Sequence, residues 1–245
     1  MLDYKPLFDV GEGDPIILLN GLNGNLSNWG RVAYEFAASH RVLIPCIPFY
    51  QIPISSKRLD DLVTCVEEFI ESHDLDKVTL IGNSLGGHIA LLYAWRHPSR
   101  VRKLVLASSS GIFDNSQGYP FADPLPAEFG IEMDGTTIYN PKTPPTQGTS
   151  AEVFERVNGH SNVMSIEKLT RVSEHYAECS ILHNIYAPTL LIWGLNDMLT
   201  SPEVALAFHE HLPQSKIIFL DQCGHVPMVD QPKLFNQHVR EFLEQ

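Results

Sequence analysis

The sequence predicts an α/β fold in which a mostly parallel, doubly wound sheet carries helices on both faces. Three observations support this prediction. Short apolar runs of strand length alternate with amphipathic segments of helical spacing. One transition from strand to helix carries a serine, Ser84, at its apex. A single segment, residues 111–185, breaks the alternation and is too long for an ordinary connection.

The regular elements follow from two patterns. Runs rich in Val, Ile and Leu predict strands, because a parallel strand is buried on both of its faces. Apolar residues at every third or fourth position predict helices. The predicted strands are Tyr4–Val10, Pro15–Leu19, Arg41–Pro45, Lys77–Ile81, Lys103–Ala107, Thr189–Trp193 and Lys216–Leu220. The predicted helices are Asn28–Ser39, Leu59–His73, Ser84–His97, Pro202–His211 and Pro232–Glu244.

Residues 111–185 depart from this rhythm. The first half of the segment is rich in proline and has no sustained periodicity, whereas Ser165–Asn184 has the pattern of an amphipathic helix. We therefore expect a core domain made of residues 1–110 and 186–245, with residues 111–185 inserted as a cap over the strand ends. The alternative is an insertion that lies far from any functional site.

The segment Gly82-Asn83-Ser84-Leu85-Gly86 predicts a nucleophile elbow. A serine that projects above a sheet needs a strained backbone with close neighbours, and residues without a β-carbon permit that approach. The helix that follows Ser84 directs N–H groups and the positive end of its dipole to the same point. The pattern by itself also describes a tight turn with a hydroxyl cap, but the strand before it and the helix after it favour the elbow.

Asp197 and His225 are the candidate partners of Ser84. Asp197 follows one buried strand and His225 follows the next, so both are expected at the carboxyl edge of the sheet, where ligands bind in open α/β folds. The chain order of serine, aspartate and histidine is that of a nucleophile elbow with its triad. Asp221 is the competing acid, although its position fits less well.

Three neighbours of this site have simpler interpretations than catalysis. His88 lies one helical turn after Ser84, where packing is expected. Cys223 is best explained as a small apolar filler beside His225, and Asn83 as a brace for the elbow.

Composition bounds the function further. A formal charge of −12 without a basic run argues against nucleic acid, and the apolar stretches are too short to cross a bilayer. The four cysteines lack paired spacing and no secretory signal is visible, so we expect reduced thiols and a cytoplasmic protein. The histidines lack metal-ligand spacing, so no metal site is predicted. The expected partner is a small, apolar or uncharged molecule.

Four segments carry a resemblance to a known family. These are Leu18–Gly24 with Trp29, Gly82–Gly87, Trp193–Asp197 and Gly224–Pro227. In this order they resemble the signature segments of the α/β-hydrolase superfamily, in the branch with a cap inserted after the sixth strand of the family's sheet. The resemblance covers nearly the whole chain. Two positions depart from the family pattern: Asn20 replaces the usual histidine, and residues 46–53 replace a glycine-rich turn with a more apolar loop.

The resemblance implies a serine hydrolase that needs no cofactor. Ser84, Asp197 and His225 would form the triad, and the backbone N–H groups of Leu22 and Leu85 would form the oxyanion hole. The candidate walls of an apolar pocket are Trp29, Phe49, Tyr50, Phe113 and Tyr119. For each of these aromatic residues, ordinary core packing is the alternative.

The function with most support at this stage is hydrolysis of a small carboxylic ester or related acyl compound. The main alternative is hydrolysis of carbon–carbon bonds in vinylogous diketone acids, because the elbow resembles that of this group too. A cofactor-free perhydrolase would use the same triad. A different class is a ligand receptor that kept the hydrolase fold. The sequence leaves the physiological substrate and the oligomeric state open.

Overall fold

The computed structural model describes residues 6–21, 26–47, 58–112, 179–197 and 199–245. The strands are β1 (Pro6–Val10), β2 (Pro15–Leu19), β3 (Arg41–Pro45), β4 (Val78–Asn83), β5 (Val101–Ala107), β6 (Thr189–Gly194) and β7 (Ser215–Leu220). The helices are α1 (Leu26–Phe36), α2 (Arg58–Ser72), α3 (Leu85–Arg96), α4 (Cys179–Leu182), α5 (Pro202–His211), α6 (Pro227–Asp230) and α7 (Pro232–Leu243). A 3-10 turn, Pro98–Arg100, connects α3 to β5.

The seven described strands form one sheet in the order β1-β3-β2-β4-β5-β6-β7. β1 pairs with β3 in the antiparallel sense, and every other pair is parallel. The prediction of a mostly parallel α/β sheet is confirmed. Because β2 and β4 to β7 run in the same direction, the loops that follow them emerge at one edge of the sheet.

The core lies on both faces of the sheet, as alternation along β2 illustrates. Ile16 and Leu18 belong to one buried cluster, and Ile17 and Leu19 belong to the other. Helices α2, α3 and α5 contribute to the cluster around Ile17, whereas α1, α6 and α7 contribute to the cluster around Ile16. Burial on both faces explains why the central strands are continuous apolar runs in the sequence.

The predicted elements agree with the described ones to within a few residues at each end. Tyr4 and the rest of residues 1–5 lie outside the described part of the chain, as do residues 113–178 of the predicted cap. The end of the predicted insertion is described, and there Leu182 and Ile185 are buried in the same cluster as Ile17. Within the described ranges, no helix has both the length and the apolar character that crossing a bilayer requires.

Candidate active site

Ser84 lies at the turn between β4 and α3, near the middle of the sheet. Its backbone has φ 52° and ψ −122°, a conformation that non-glycine residues rarely adopt. The Ser84 N–H donates to the carbonyl oxygen of Ala107 at 3.1 Å, and the Ser84 carbonyl accepts from the N–H groups of His88 and Ser110. Strain of this kind persists only where the surroundings fix the chain, which indicates a functional position.

Close backbone approaches explain the glycines of the elbow. A Cβ atom at Gly82 would lie 2.4 Å from the carbonyl oxygen of Gly86, and one at Gly86 would lie 2.2 Å from that of Leu19. Both distances are far shorter than real carbon–oxygen contacts, so only glycine fits either position. A Cβ atom at Gly21 would lie 3.1 Å from Ser84 Cβ. The loop after β2 therefore passes directly beside the serine.

His225 and Asp197 meet at the same edge of the sheet, and both are buried. The Nδ1 atom of His225 lies 3.1 Å from Oδ1 and 3.0 Å from Oδ2 of Asp197. The structure thus brings these two predicted site residues into hydrogen-bond contact. Asp221, the competing acid, is exposed and instead accepts the backbone N–H of Gln222.

Asn83 links the elbow to the loop that carries His225. Its Nδ2 atom donates to the carbonyl oxygens of Ala107, at 2.9 Å, and of His225, at 3.0 Å. Both bonds are buried, so each is costly to leave unmade. Asn83 therefore has the bracing position that the sequence predicted, since it fixes the histidine loop against the residue next to Ser84.

Further hydrogen bonds hold the Asp197 carboxylate. Its Oδ1 atom accepts the N–H groups of Leu199, at 2.9 Å, and of Thr200, at 3.0 Å. Its Oδ2 atom accepts the Thr200 hydroxyl at 2.9 Å. Sequence reasoning missed Thr200. Its only sequence signal is its place three residues after an aspartate, at the spacing of a side chain that closes a local turn.

Asp230 is a second carboxylate that the sequence did not reveal. Its Oδ2 atom accepts the Gly224 N–H at 2.7 Å, so it fixes the residue before His225. Burial raises the pKa of Asp230 to about 6, and the negative charge of Asp197 acts in the same direction. Its position on the one-turn helix α6 gives no periodic signal that would have identified it.

Cys223 and His88 have environments that fit packing better than catalysis. Cys223 is fully buried, and burial raises the pKa of its thiol far above the usual range, so the thiolate is disfavoured. His88 is also fully buried, and burial lowers the pKa of its ring to about 4. Neither ring nitrogen of His88 has a hydrogen-bond partner among the described residues. Cys223, Cys65 and Cys46 are free thiols.

Only some of the residues predicted to form the oxyanion hole and the pocket lie in the described part of the chain. Leu85 opens helix α3 and is half-buried against the core, whereas Leu22 lies outside the described chain. Trp29 is 0% exposed and its ring centroid lies 6.3 Å from that of Phe235, so its surroundings are those of the core-packing alternative, and its role as a pocket wall stays a prediction. The remaining pocket candidates, Phe49, Tyr50, Phe113 and Tyr119, fall outside the described residues.

Metal-binding side chains do not cluster in the described part of the chain. Across those ranges, no three His, Cys, Asp or Glu side chains come together in a group that could hold a metal ion. The described site therefore consists of a strained serine, a buried histidine–carboxylate pair and the braces that hold them.

Comparison with known proteins adds the family to this geometry. The family model described as alpha/beta hydrolase fold matches residues 14–232. The chain is similar to Lipase 3 of Moraxella sp. (strain TA144), with 29% identity over 92% of this chain and 76% of the relative. It is also similar to 2-hydroxy-6-oxononadienedioate/2-hydroxy-6-oxononatrienedioate hydrolase 2 of Pseudomonas putida, with 26% identity over 96% of this chain and 90% of the relative.

A solved structure agrees with these relatives. An α/β hydrolase enzyme from the metagenome of sediments of the Mar Chica lagoon, Morocco, has a TM-score of 0.76 and 30% identity. The match covers 97% of this chain and 93% of that one. Fold, family model and relatives agree, and the chain belongs to the α/β hydrolase family and is a hydrolase enzyme.

Proposed function

We propose that the protein is a serine hydrolase that cleaves a small carboxylic ester or related acyl compound through Ser84, His225 and Asp197. The observation that carries the proposal is the left-handed backbone of Ser84, at φ 52°, together with the buried His225–Asp197 pair at the same edge of the sheet. Asn83, next to Ser84, connects the elbow to the histidine loop by its hydrogen bond to the His225 carbonyl. Strained nucleophile, base and orienting acid are the parts that acyl transfer needs.

In the proposed reaction, Ser84 Oγ attacks the acyl carbon while His225 Nε2 takes the hydroxyl proton. Asp197 holds the Nδ1–H tautomer of His225 and stabilises the imidazolium that forms. His225 then gives its proton to the leaving alcohol, which departs as the acyl-enzyme forms. A water molecule, deprotonated by His225, attacks the acyl carbon. The bond to Ser84 Oγ then breaks, His225 returns the proton to that oxygen, and the carboxylic acid leaves.

The oxyanion of each tetrahedral intermediate is assigned to two backbone N–H groups in this proposal. Leu85 provides the first N–H of α3, where the helix dipole favours negative charge. Leu22 follows Gly21, whose backbone lies against Ser84. Removing one such donor in a related site typically costs about 10²–10³ in turnover. A small, apolar or uncharged substrate and a cytoplasmic location belong to the same proposal.

A second candidate is hydrolysis of a carbon–carbon bond in a vinylogous diketone acid. Its support is specific, because the Pseudomonas putida relative is named as a hydrolase of such a compound and is matched over 90% of its length. The same three side chains would serve either reaction. The lipase relative supports ester hydrolysis with similar strength.

Fluorophosphonate labelling tests the nucleophile. We expect the label on Ser84 by mass spectrometry, and no label in Ser84→Ala. The matched control is Ser110→Ala, because the backbone N–H of Ser110 donates to the Ser84 carbonyl but Ser110 has no role in the proposal. Removing a triad nucleophile can lower turnover by about 10⁶-fold. A label on another serine, or full activity in Ser84→Ala, would overturn the assignment.

A substrate panel separates the candidate reactions. We would measure release of nitrophenol from acetate, butyrate and octanoate esters, and disappearance of a 2-hydroxy-6-oxo-dienoate by its absorbance. Sustained ester turnover with an inert dienoate supports the proposed function, and the reverse supports the second candidate. A burst of product without turnover on any substrate would instead indicate a receptor.

A further inference from the structure

Thr200 provides two of the hydrogen-bond donors that hold Asp197. Its backbone N–H donates to Oδ1 at 3.0 Å and its hydroxyl donates to Oδ2 at 2.9 Å. Its Oγ1 atom also lies 3.2 Å from Nδ1 of His225. A buried carboxylate is costly unless its lone pairs are satisfied, and these donors satisfy lone pairs on both oxygens of Asp197.

The position of Thr200 is itself fixed from two strands. Its carbonyl oxygen accepts the indole N–H of Trp193, on β6, at 2.8 Å. Its Oγ1 atom lies 3.1 Å from the carbonyl oxygen of Ser108, which directly follows β5. Thr200 and Trp193 are both buried, and Ser108 has a left-handed backbone with φ 45°. The hydroxyl therefore has little freedom to leave the carboxylate.

The hydroxyl has one proton for these neighbours, and the charged carboxylate is the strongest acceptor among them. With Thr200 donating to Oδ2, Asp197 cannot rotate about its Cβ–Cγ bond without breaking bonds to both of its oxygens. The carboxylate then presents a constant geometry to the Nδ1–H of His225, which selects the tautomer with a free Nε2.

We propose that Thr200 is a positioning residue for the His225–Asp197 pair, and that its hydroxyl fixes the carboxylate that orients the imidazole. This inference rests on the proposed function, in which His225 acts as the base. Thr200 touches no reacting atom in that scheme. Its effect is transmitted through Asp197.

The test compares Thr200→Val, which keeps the shape but loses the hydroxyl, with Thr200→Ser, which keeps the hydroxyl. Thr200→Ala is measured in parallel, so that poor folding of one variant does not decide the result. The matched control is Thr189→Val, because Thr189 is a buried threonine at the start of β6 whose hydroxyl bonds to the Ala187 carbonyl, away from the His225–Asp197 pair. Folding of each variant is checked by circular dichroism.

Two readouts are taken. Ester hydrolysis in Thr200→Val should show kcat lower by about 10-fold with KM unchanged, as expected for one lost hydrogen bond to a charged group. In protein with ¹⁵N-labelled histidine, the Nδ1 signal of His225 should shift in Thr200→Val and Thr200→Ala. Its assignment comes from its loss in His225→Ala. Thr200→Ser should restore both values, and Thr189→Val should change neither.

The outcomes separate the inference from the function on which it rests. An unchanged Nδ1 signal in Thr200→Val overturns the inference even if kcat falls, because the hydroxyl then acts elsewhere. Equal effects in Thr189→Val, or no rescue by Thr200→Ser, overturn it as well. If the parent protein hydrolyses no ester, the proposed function fails, and the Nδ1 signal alone decides whether Thr200 positions the pair.

Discussion

Asp197 and Asp221 differ in what their carboxylates contact, although Asp221 is the nearer of the two to His225 in the sequence. Asp197 lies within 3.1 Å of His225 Nδ1, whereas Asp221 accepts the N–H of its own neighbour, Gln222. Contact at Nδ1 is what sets the tautomer of an imidazole base. The structure therefore supports Asp197 as the orienting acid, a role that stays a prediction until it is measured.

We predict that Asp197→Asn lowers kcat by about 10³–10⁴-fold while the protein remains folded, because an amide can favour the wrong tautomer. Asp221→Asn should stay close to the parent, since its side chain is exposed. Steady-state ester hydrolysis on variants of verified fold provides the measurement. The reverse ranking of the two variants would assign the acid to Asp221.

Asp230 makes the stability of the protein depend on pH. Burial raises the pKa of Asp230 to about 6, against about 4 in an unfolded chain. The folded state thus holds this proton more tightly. Protonation of Asp230 therefore stabilises the folded state. This contribution to the free energy of unfolding is complete below about pH 4 and is lost as the pH rises through about 6.

We compare the free energy of unfolding of Asp230→Asn with that of the parent. As the pH rises from about 5 to about 7.5, we predict that the difference shifts by about 1 kcal/mol in favour of the variant. Asparagine can still accept the Gly224 N–H, but it buries no charge. Urea unfolding at several pH values measures the difference, with the exposed-site variant Asp221→Asn as control. Parallel stability curves for Asp230→Asn and the parent would contradict this prediction.

At the scale of elements, glycine positions control how closely strands, helices and loops approach. β4 and α3 meet at Gly82 and Gly86, and β6 meets the histidine loop at Gly194, where a Cβ atom would lie 2.2 Å from the Gly224 carbonyl oxygen. Gly30, in contrast, is in the interior of α1, where an added Cβ atom would meet no described residue of another element within 4 Å. The same substitution should therefore have opposite effects at these sites.

Gly82→Ala should lower the free energy of unfolding by about 1–3 kcal/mol, because the added methyl group overpacks the elbow. It should also reduce fluorophosphonate labelling of Ser84. Gly30→Ala should raise the free energy of unfolding by about 0.5–1 kcal/mol, since alanine favours a helix interior. Urea denaturation of both variants tests the pair. A Gly82→Ala protein that is as stable and as reactive as the parent would rule out the close approach at the elbow.

At the scale of the whole molecule, the described end of the predicted cap packs in the core. Leu182 and Ile185, at the end of residues 111–185, are buried in the cluster around Ile17. A variant that probes the cap should therefore keep residues 179–185. We propose that the earlier part of the insertion, residues 113–178, selects substrates by the apolar area that it covers.

Replacing residues 113–178 by a short Gly/Ser linker should flatten the preference among acetate, butyrate and octanoate esters, while hydrolysis of the acetate is retained. Selectivity between chain lengths arises from buried apolar area, at about 25 cal/mol per Å². The measurement is kcat/KM for each ester in parent and variant, after the fold of the variant is checked. An unchanged profile would mean that the segment does not line the substrate site.

Local patterns in the chain were enough to predict the fold and the candidate catalytic residues. Strands buried on both faces must be apolar throughout, so β2, β4 and β6 could be recognised without neighbours. The elbow around Ser84 is recognisable within five residues, because Gly82 is required by the turn itself, where an added Cβ atom would meet the Gly86 carbonyl. Gly86 is required by its approach to Leu19 on β2. Asp197 and His225 followed from their places after strands.

Contacts between distant residues decided the rest. Sequence periodicity assigns Trp29 to an apolar face but cannot say whether that face meets substrate or Phe235. Thr200 bonds to Asp197 three residues before it, but its contacts with Ser108 and His225 exist only in the packed structure. Asp230 bonds to the Gly224 N–H six residues before it, in a loop and one-turn helix that carry no periodic pattern. The period and spacing of residues predict the local structure of a segment. The neighbours of a buried polar group depend on the packing of the whole chain, so only the tertiary structure could reveal the roles of Thr200 and Asp230.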